Sequence, residues 1–290
     1  MKHVFLINSF TIGKKINKVK ESIENVCKNM NIDFLIEIND EVHSTEQILQ
    51  KYKNAENIIL AVGGDGIINR VLNEIIGTKN QLGFIPCGTG NDLYRSLNIQ
   101  AIETTTKCDI AKINDKYFIN VACFGIDADV ANNLSTSKLI PKKQKYNLSV
   151  INSFAKYKGK RFEVLINDEK IEDDFATIAV CNGMFYGGGY NIAPSSELTD
   201  GLLDVYLATT QNRITIMKLI LSMKKGKHEN NKKIRKIKAD KLSIISPISI
   251  RSNIDGEELE AKRFDIEIIE KGIIIYFNKE LIASILKNIN

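Results

Sequence analysis

The sequence predicts an α/β half followed by a mainly β half, and three observations carry the prediction. Apolar strand-like runs alternate with helical spacing through the first 125 residues, as a parallel sheet requires. After Lys107 the pattern changes to short alternating or apolar strands. The 290 residues also exceed what one ordinary core organises. The expected domains are residues 1–125, with a final helix 279–290 packing back on them, and residues 126–278.

The first half reads in order. Residues 4–7 are an apolar strand, residues 14–30 carry helical spacing at Ile16, Val19, Ile23 and Val26, and residues 32–38 are a second strand. A short helix follows over 45–53. Residues 57–62 (NIILAV) form a continuous buried strand ending at Gly63-Gly64, and helical spacing resumes over 67–76 through Val71, Leu72 and Ile75. The strand 82–85 ends at Pro86, and the turn Gly88 to Asp92 leads into a helix through Leu97. In the second half, strands are expected over 117–124, 161–166, 175–181, 203–207, 241–245, 249–251, 264–269 and 273–277, with one helix over 214–223. No Pro/Gly/Ser-rich linker marks the junction.

No apolar run approaches the roughly 18 to 20 residues of a membrane-spanning helix, and the N-terminus MKHVFLINSF lacks the length and cleavage site of a signal peptide. A soluble, cytoplasmic protein is expected. The five cysteines are scattered with no CxxC pair and read as buried thiols, and the three histidines show no metal-ligand spacing. The net charge of +5 is unevenly spread. Residues 138–161 hold eight basic and no acidic residues, and residues 224–238 hold eight basic and one acidic, leaving the rest at −10. Such segments are either solvated loops and edge strands or a surface for an anionic membrane. No nucleic-acid motif accompanies the charge.

Two glycine clusters sit where an α/β sheet places ligands, at carboxyl ends of strands before helix N-termini. Gly63-Gly64-Asp65-Gly66 lets backbone N–H groups turn toward an anion, for which phosphate is the natural choice; a tight strand-to-helix turn is the plainer reading. It is neither a Walker A loop nor a GxGxxG site. Pro86-Cys87-Gly88-Thr89-Gly90-Asn91-Asp92 repeats the logic one strand later, with Asp92 either a helix cap or a ligand. Two carboxylates, Asp65 and Asp92, beside one phosphate cradle call for a divalent cation such as Mg²⁺. Asp200-Gly201 and Asp255-Gly256-Glu257 have the chemistry of hairpin turns, and residues 182–189 (NGMFYGGG) form a glycine-dense loop.

Taken in order, GGDGIINRVLNEI (63–75), GFIPCGTGNDLYRSL (83–97), INVACFGIDADV (119–130), YGGGYNIAPSSELTDGLLDV (186–205), GKH (226–228) and IDGE (254–257) resemble the soluble diacylglycerol kinase catalytic family, which includes bacterial lipid kinases and sphingosine kinases. The resemblance implies a Rossmann-like α/β nucleotide domain, similar to those of NAD kinases, followed by a β-sandwich that binds lipid. It implies that Asn8, Gly63, Gly64, Asp65, Gly66, Ile67, Ile68, Asn69 and Thr89 hold ATP, and that Asp65 and Asp92 organise catalytic Mg²⁺. A structural Mg²⁺, held partly by backbone, is implied at Glu197, Asp200 and Leu202. Glu257 matches the family's proton acceptor, a role that the sphingosine branch gives to the position of Asp65. Asp129 matches a position facing the lipid head group.

The sequence departs from the family where GGDGT reads GGDGI, placing Ile67 in place of a hydroxyl, where Arg70 replaces a frequent Glu, and where the N-terminal NPxSG loop reads NSFTIG. The expected activity is transfer of the ATP γ-phosphoryl group to a hydroxyl of diacylglycerol or a related lipid, in phospholipid metabolism, at the surface of an anionic membrane and with no nucleic-acid partner. A homodimer is a further expectation of the resemblance. The alternatives are an NAD kinase-like small-molecule kinase and a lipid-binding regulatory protein without turnover.

Overall fold

The computed structural model describes residues 1–100, 102–125, 159–209 and 213–289. The chain folds as two compact units, Met1–Asp109 with Glu270–Asn290, and Ile110–Ile269. Both junctions between these units fall inside strands rather than loops, whereas the sequence expectation set its boundaries at residues 125 and 279.

The first unit opens with β1 (Lys2–Asn8), α1 (Ser9–Ile12), a 3-10 turn and α2 (Ile16–Asn29), then β2 (Phe34–Asn39), α3 (Thr45–Leu49), β3 (Asn57–Gly63), α4 (Asp65–Ile75), β4 (Gln81–Pro86) and α5 (Asp92–Ile99). Its strands are parallel, in the order β2-β1-β3-β4: Val4 lies opposite both Leu35 and Ile59, and Leu60 lies opposite Gly83. β3 is buried at all seven positions because helices cover a parallel sheet on both faces. α2 turns Val19, Ile23, Val26 and Cys27 inward, the face that its sequence spacing predicts. Ser44 and Gln47 form a reciprocal capping box that starts α3.

β5 (Thr105–Ile113) carries the chain into the second unit. There follow β6 (Lys116–Phe118), β7 (Val121–Gly125), β8 (Lys160–Ile166), β9 (Glu169–Cys181), the short hairpin β10 (Phe185–Tyr186) and β11 (Tyr190–Asn191), and β12 (Leu203–Thr209). Then come α6 (Arg213–Met223), β13 (Ile234–Ala239), β14 (Lys241–Ile254) and β15 (Glu257–Tyr276). Pairing in this unit is antiparallel, in the order β13-β12-β9-β7-β14-β15, while β8 joins the other halves of β9 and β14. Phe124, Phe162, Phe175 and Phe264 are buried in the core that results, with Phe124 and Phe264 edge to face at 4.9 Å.

Three strand expectations change. Residues 117–124 are two strands, because the backbone between them bonds to a side chain from elsewhere in the unit. Residues 241–245 and 249–251 are one strand with a register break between Ile245 and Ile250. Pro247, which has no N–H to donate, lies within that break. The two final strands are likewise one, β15, whose end pairs with β4 in parallel, Ile275 opposite Leu82. α7 (Lys279–Ile289) then buries Leu281, Ile282, Ile285 and Ile289, and Ser22 of α2 donates a hydrogen bond to the Ile285 carbonyl at 2.9 Å. No helix among the described residues is long and apolar enough to cross a membrane.

Candidate active site

The two glycine loops of the first unit are in contact. The Cys87 N–H donates to the Gly63 carbonyl at 2.8 Å, and a Cβ built on Gly88 would lie 2.4 Å from the Gly64 Cα. No side chain fits between them, so glycine at both positions is a packing requirement as well as a way of baring backbone N–H groups. Asn91 holds the second loop in a left-handed conformation, φ 54°, accepting from the Gly88 N–H at 3.1 Å and donating to the Gly88 carbonyl at 3.0 Å.

Asp65, the first residue of α4, reaches across to α5. Its Oδ1 accepts the N–H groups of Asp92 at 2.9 Å and Leu93 at 3.3 Å. Of the two roles open to Asp92, the cap is taken by Asp65, while Asp92 is itself a buried residue of the first turn. Burial pushes the Asp65 carboxyl above its ordinary value of 3.8, and the N–H groups of Asp92 and Leu93 oppose that shift only in part.

Ile67 and Ile68 are buried, so whatever they offer a nucleotide is backbone. A Cβ on Gly63 would lie 2.8 Å from Ile67 Cγ2 and 3.4 Å from Asn8 Cβ, which places Ile67, Asn8 and the first loop side by side. Asn8 is buried, accepts from the Phe10 N–H and donates to Thr11 Oγ1. Asn69 is buried on α4 and bonds to Asn73, and Thr89 is exposed. Arg70 donates to the Gly66 carbonyl at 3.4 Å.

In the second unit Asp255 and Gly256, at φ 48° and 95°, form the two-residue turn between β14 and β15, and half-buried Glu257 opens β15. Asp255 was legible only as a turn residue. Its buried carboxylate accepts three consecutive N–H groups, from Ile119 at 2.8 Å, Asn120 at 3.1 Å and Val121 at 2.8 Å, which is why β6 and β7 are separate strands. Asn120 continues the network by donating to the Phe185 carbonyl, and Asn182 donates to the Ile119 carbonyl at 2.7 Å. A Cβ on Gly183 would lie 1.8 Å from Asn120 Oδ1. The blocks 119–125, 182–189 and 252–257 therefore meet around Asp255, and the glycine-dense stretch is a hairpin whose turn, Gly187 to Gly189, has positive φ throughout. A signal existed in the sequence: an Asp flanked by Ile254 and a Gly carries a charge into an apolar frame and needs donors.

At the acidic turn, Asp200 Oδ1 accepts the Leu202 N–H at 3.1 Å and Asp200 Oδ2 lies 2.6 Å from Lys238 Nζ. Glu197 is exposed. Buried Asp204 binds Ser196 Oγ at 2.9 Å and Lys236 Nζ at 3.1 Å, and Lys236 also pairs with Glu229. Among the described residues no group of three or more His, Cys, Asp or Glu side chains stands close enough to hold a metal. Asp129 and most of the basic segment 138–161, including Lys142 and Lys143, lie outside the described residues.

A pair of glycine loops at parallel-strand ends, with two carboxylates beside them, defines a phosphate-handling α/β domain; here it is followed by a β domain. The diacylglycerol kinase catalytic domain matches residues 2–122, and the YegS C-terminal NAD kinase beta sandwich-like domain matches residues 120–275. The chain belongs to this family of lipid kinases, the diacylglycerol kinase-like proteins of the YegS type. It is 28% identical over 280 residues to a Staphylococcus aureus (strain MSSA476) protein named "Putative lipid kinase", covering 90% of this chain and 91% of that one. It is 29% identical over 294 residues to a Yersinia enterocolitica protein named "Probable lipid kinase YegS-like", covering 94% and 96%. The fold matches a Bacillus anthracis crystal structure described as a putative diacylglycerol kinase, with TM-score 0.75, 21% identity, and coverage of 97% of this chain and 96% of the other.

Proposed function

We propose that this chain uses ATP and Mg²⁺ to phosphorylate a lipid hydroxyl, most simply that of diacylglycerol or a related lipid in phospholipid metabolism, as a cytoplasmic protein working at a membrane surface. The contact between Gly64 and Gly88, closed by Asp65 on α5, is the observation that carries this reading. It supports two bare loops of N–H donors converging on one place, a composition suited to the phosphates of ATP. Carboxylate oxygens are the ligands that Mg²⁺ prefers, and Asp65 and Asp92 supply them next to those loops. The residues fit the group. When bound, Mg²⁺ supplies neutralisation of phosphate charge.

Positioning and charge do most of the work in phosphoryl transfer, so the chain has few roles to fill. Gly63, Gly64, Gly66 and Thr89 orient the phosphates, with Asn8 and Ile67 to Asn69 as the surrounding wall. Glu257 or Asp65 accepts the hydroxyl proton as the new P–O bond forms; the raised pKa of Asp65 suits it to hold one. Glu197, Asp200 and Leu202 contribute a structural cation site only if the Lys238 ammonium yields its place at Asp200. Asp129, outside the described residues, matches the family position that can face the lipid head group.

The test is phosphate transfer from γ-labelled Mg-ATP to a panel of lipid alcohols. Transfer that disappears in Asp65→Ala supports the reading, and ATP binding with no acceptor phosphorylated sinks it. Ile67, buried where a hydroxyl was expected, favours a second reading as a lipid-binding regulator, for which vesicle binding without turnover is the signature.

A further inference from the structure

The second basic segment divides cleanly into paired and unpaired cations. Arg235 is bound to Glu169, Lys236 to Asp204 and Glu229, and Lys238 to Asp200 and Asp204. By contrast Lys224, Lys225, Lys227, Lys232 and Lys233 are exposed and have no ion pair or hydrogen bond from their side chains among the described residues, and Lys218 of α6 is the same. Lys224, Lys225 and Lys227 lie in the turn directly after α6, where Gly226 takes φ 63° and its N–H donates to the Met223 carbonyl, and Lys232 and Lys233 follow within ten residues of the helix end.

α6 has an unusual surface for a helix in such a place. Its sequence RITIMKLILSM contains no acidic residue and seven apolar ones. Leu219 and Met223 pack on the cluster of Val121, Cys123, Ala179 and Tyr206. Leu221, about 200° around the helix from Leu219, is 66% exposed. A large apolar side chain in water, in a stretch (218–233) that carries six unpaired ammonium groups and one carboxylate, Glu229, already paired with Lys236, matches the two layers of an anionic bilayer: acyl chain for the leucine, phosphate for the lysines. The turn is also held firmly. Buried His228, two residues beyond Gly226, donates from Nε2 to the Ile192 carbonyl at 2.8 Å and anchors the segment to the second unit.

We infer that the end of α6 and the turn after it form the membrane-docking element of this protein, inserting Leu221 and seating Lys218, Lys224, Lys225, Lys227, Lys232 and Lys233 on anionic lipid head groups. The inference takes the nature of the surface from the lipid-kinase reading above. It assigns the paired lysines, Lys236 and Lys238, to internal structure and excludes them from docking.

The chain contains no tryptophan, so Leu221→Trp creates a single fluorescent reporter in the full-length protein. On vesicles of phosphatidylcholine with phosphatidylglycerol its emission is expected to shift to the blue and to be quenched by brominated acyl chains. Pure phosphatidylcholine vesicles should leave it nearly unchanged. Lys224→Gln/Lys225→Gln/Lys232→Gln/Lys233→Gln should keep the wild-type melting temperature while weakening vesicle binding by roughly 600-fold at low salt, at about fivefold per charge. Emission that stays unshifted while the protein sediments with anionic vesicles overturns the inference, as does quadruple-variant binding equal to wild type. Turnover on a short-chain, monomeric diacylglycerol separates this result from the kinase reading. Activity there with no fluorescence response defeats docking alone, whereas a fluorescence response with no activity on any lipid upholds docking and defeats the kinase reading.

Discussion

Asp65 Oδ1 accepts the backbone N–H groups of Asp92 and Leu93, so a side chain from one glycine loop caps the helix that leaves the other. The two loops are thereby one mechanical object. Because burial holds the Asp65 carboxyl above its ordinary value, its ionised form costs stability at neutral pH while its acceptor oxygen contributes a cap. Asparagine separates the two effects. Asp65→Asn keeps an acceptor and removes the charge, and should melt at or above the wild-type temperature while phosphoryl transfer is lost. Asp65→Ala removes the cap as well and should lose about 1 kcal/mol. Thermal melts beside activity assays check both.

Gly88→Ala tests the contact itself. The new methyl would lie 2.4 Å from the Gly64 Cα, a backbone atom that cannot rotate away. The loops must separate, at a cost of roughly 1–3 kcal/mol by comparison with overpacked cores. Nucleotide affinity should fall more than stability does, because the N–H groups of both loops are displaced together. Titration calorimetry with Mg-ATP against a denaturant melt gives the comparison.

Local pattern was enough for β1, α2, β3 and α7, whose buried faces follow from spacing within one element. It was also enough to place both glycine clusters at strand ends. What it missed depends on partners far away in sequence. β5 was not expected, and its pairing with β6 and β15 stabilises residues with weak alternation of their own. β13 lay hidden in a segment legible only as charge, since Ile234 and Ala239 are buried while Arg235 and Lys238 are exposed. The break at residues 119–120 is set by Asp255, more than 130 residues on, and no window centred on either shows it.

Asp255 should be among the least replaceable residues of the second unit. Asp255→Ala leaves the N–H groups of Ile119, Asn120 and Val121 without their carboxylate acceptor, and the loss should be at least about 3 kcal/mol. Asp255→Asn presents one acceptor oxygen and turns an amide donor toward another N–H, so it should recover only part. A Glu257→Gln control bears on the same hairpin and should leave stability within about 0.5 kcal/mol while lowering turnover if Glu257 takes the proton. Urea melts of the three variants rank them.

Lys236 offers a test of the internal ion pairs. Asp204 beside it has a side chain only 1% exposed, and its other partners are Ser196 and, at 3.8 Å, Lys238. Lys236→Met retains the aliphatic stem but removes the nearer of the two ammonium groups at the buried Asp204 carboxylate and loosens Glu229, with an expected cost of about 3 kcal/mol. Lys232→Met and Lys233→Met, at exposed lysines of the same segment, should be neutral within about 0.5 kcal/mol. Equal effects from all three would contradict the division into structural and surface lysines.

His228 gives the fold a defined acid limit. It is 1% exposed, and burial depresses its pKa below the ordinary 6.5 against smaller upward pulls from the hydrogen bond to Ile192 and the charge of Glu229. The Ile192 carbonyl can only accept, so Nε2 carries the proton of the neutral ring and Nδ1 is a buried acceptor with no partner among the described residues. Protonation therefore favours the unfolded chain, which binds the proton more readily. Stability from this residue is fully present above about pH 6.5 and falls as the pH drops through that value toward the depressed folded pKa. A melt series from neutral to mildly acidic pH should show the decline, and His228→Gln, whose amide can still donate to Ile192, should flatten it. A wild-type curve and a variant curve of equal slope below pH 6.5 would remove His228 as the cause.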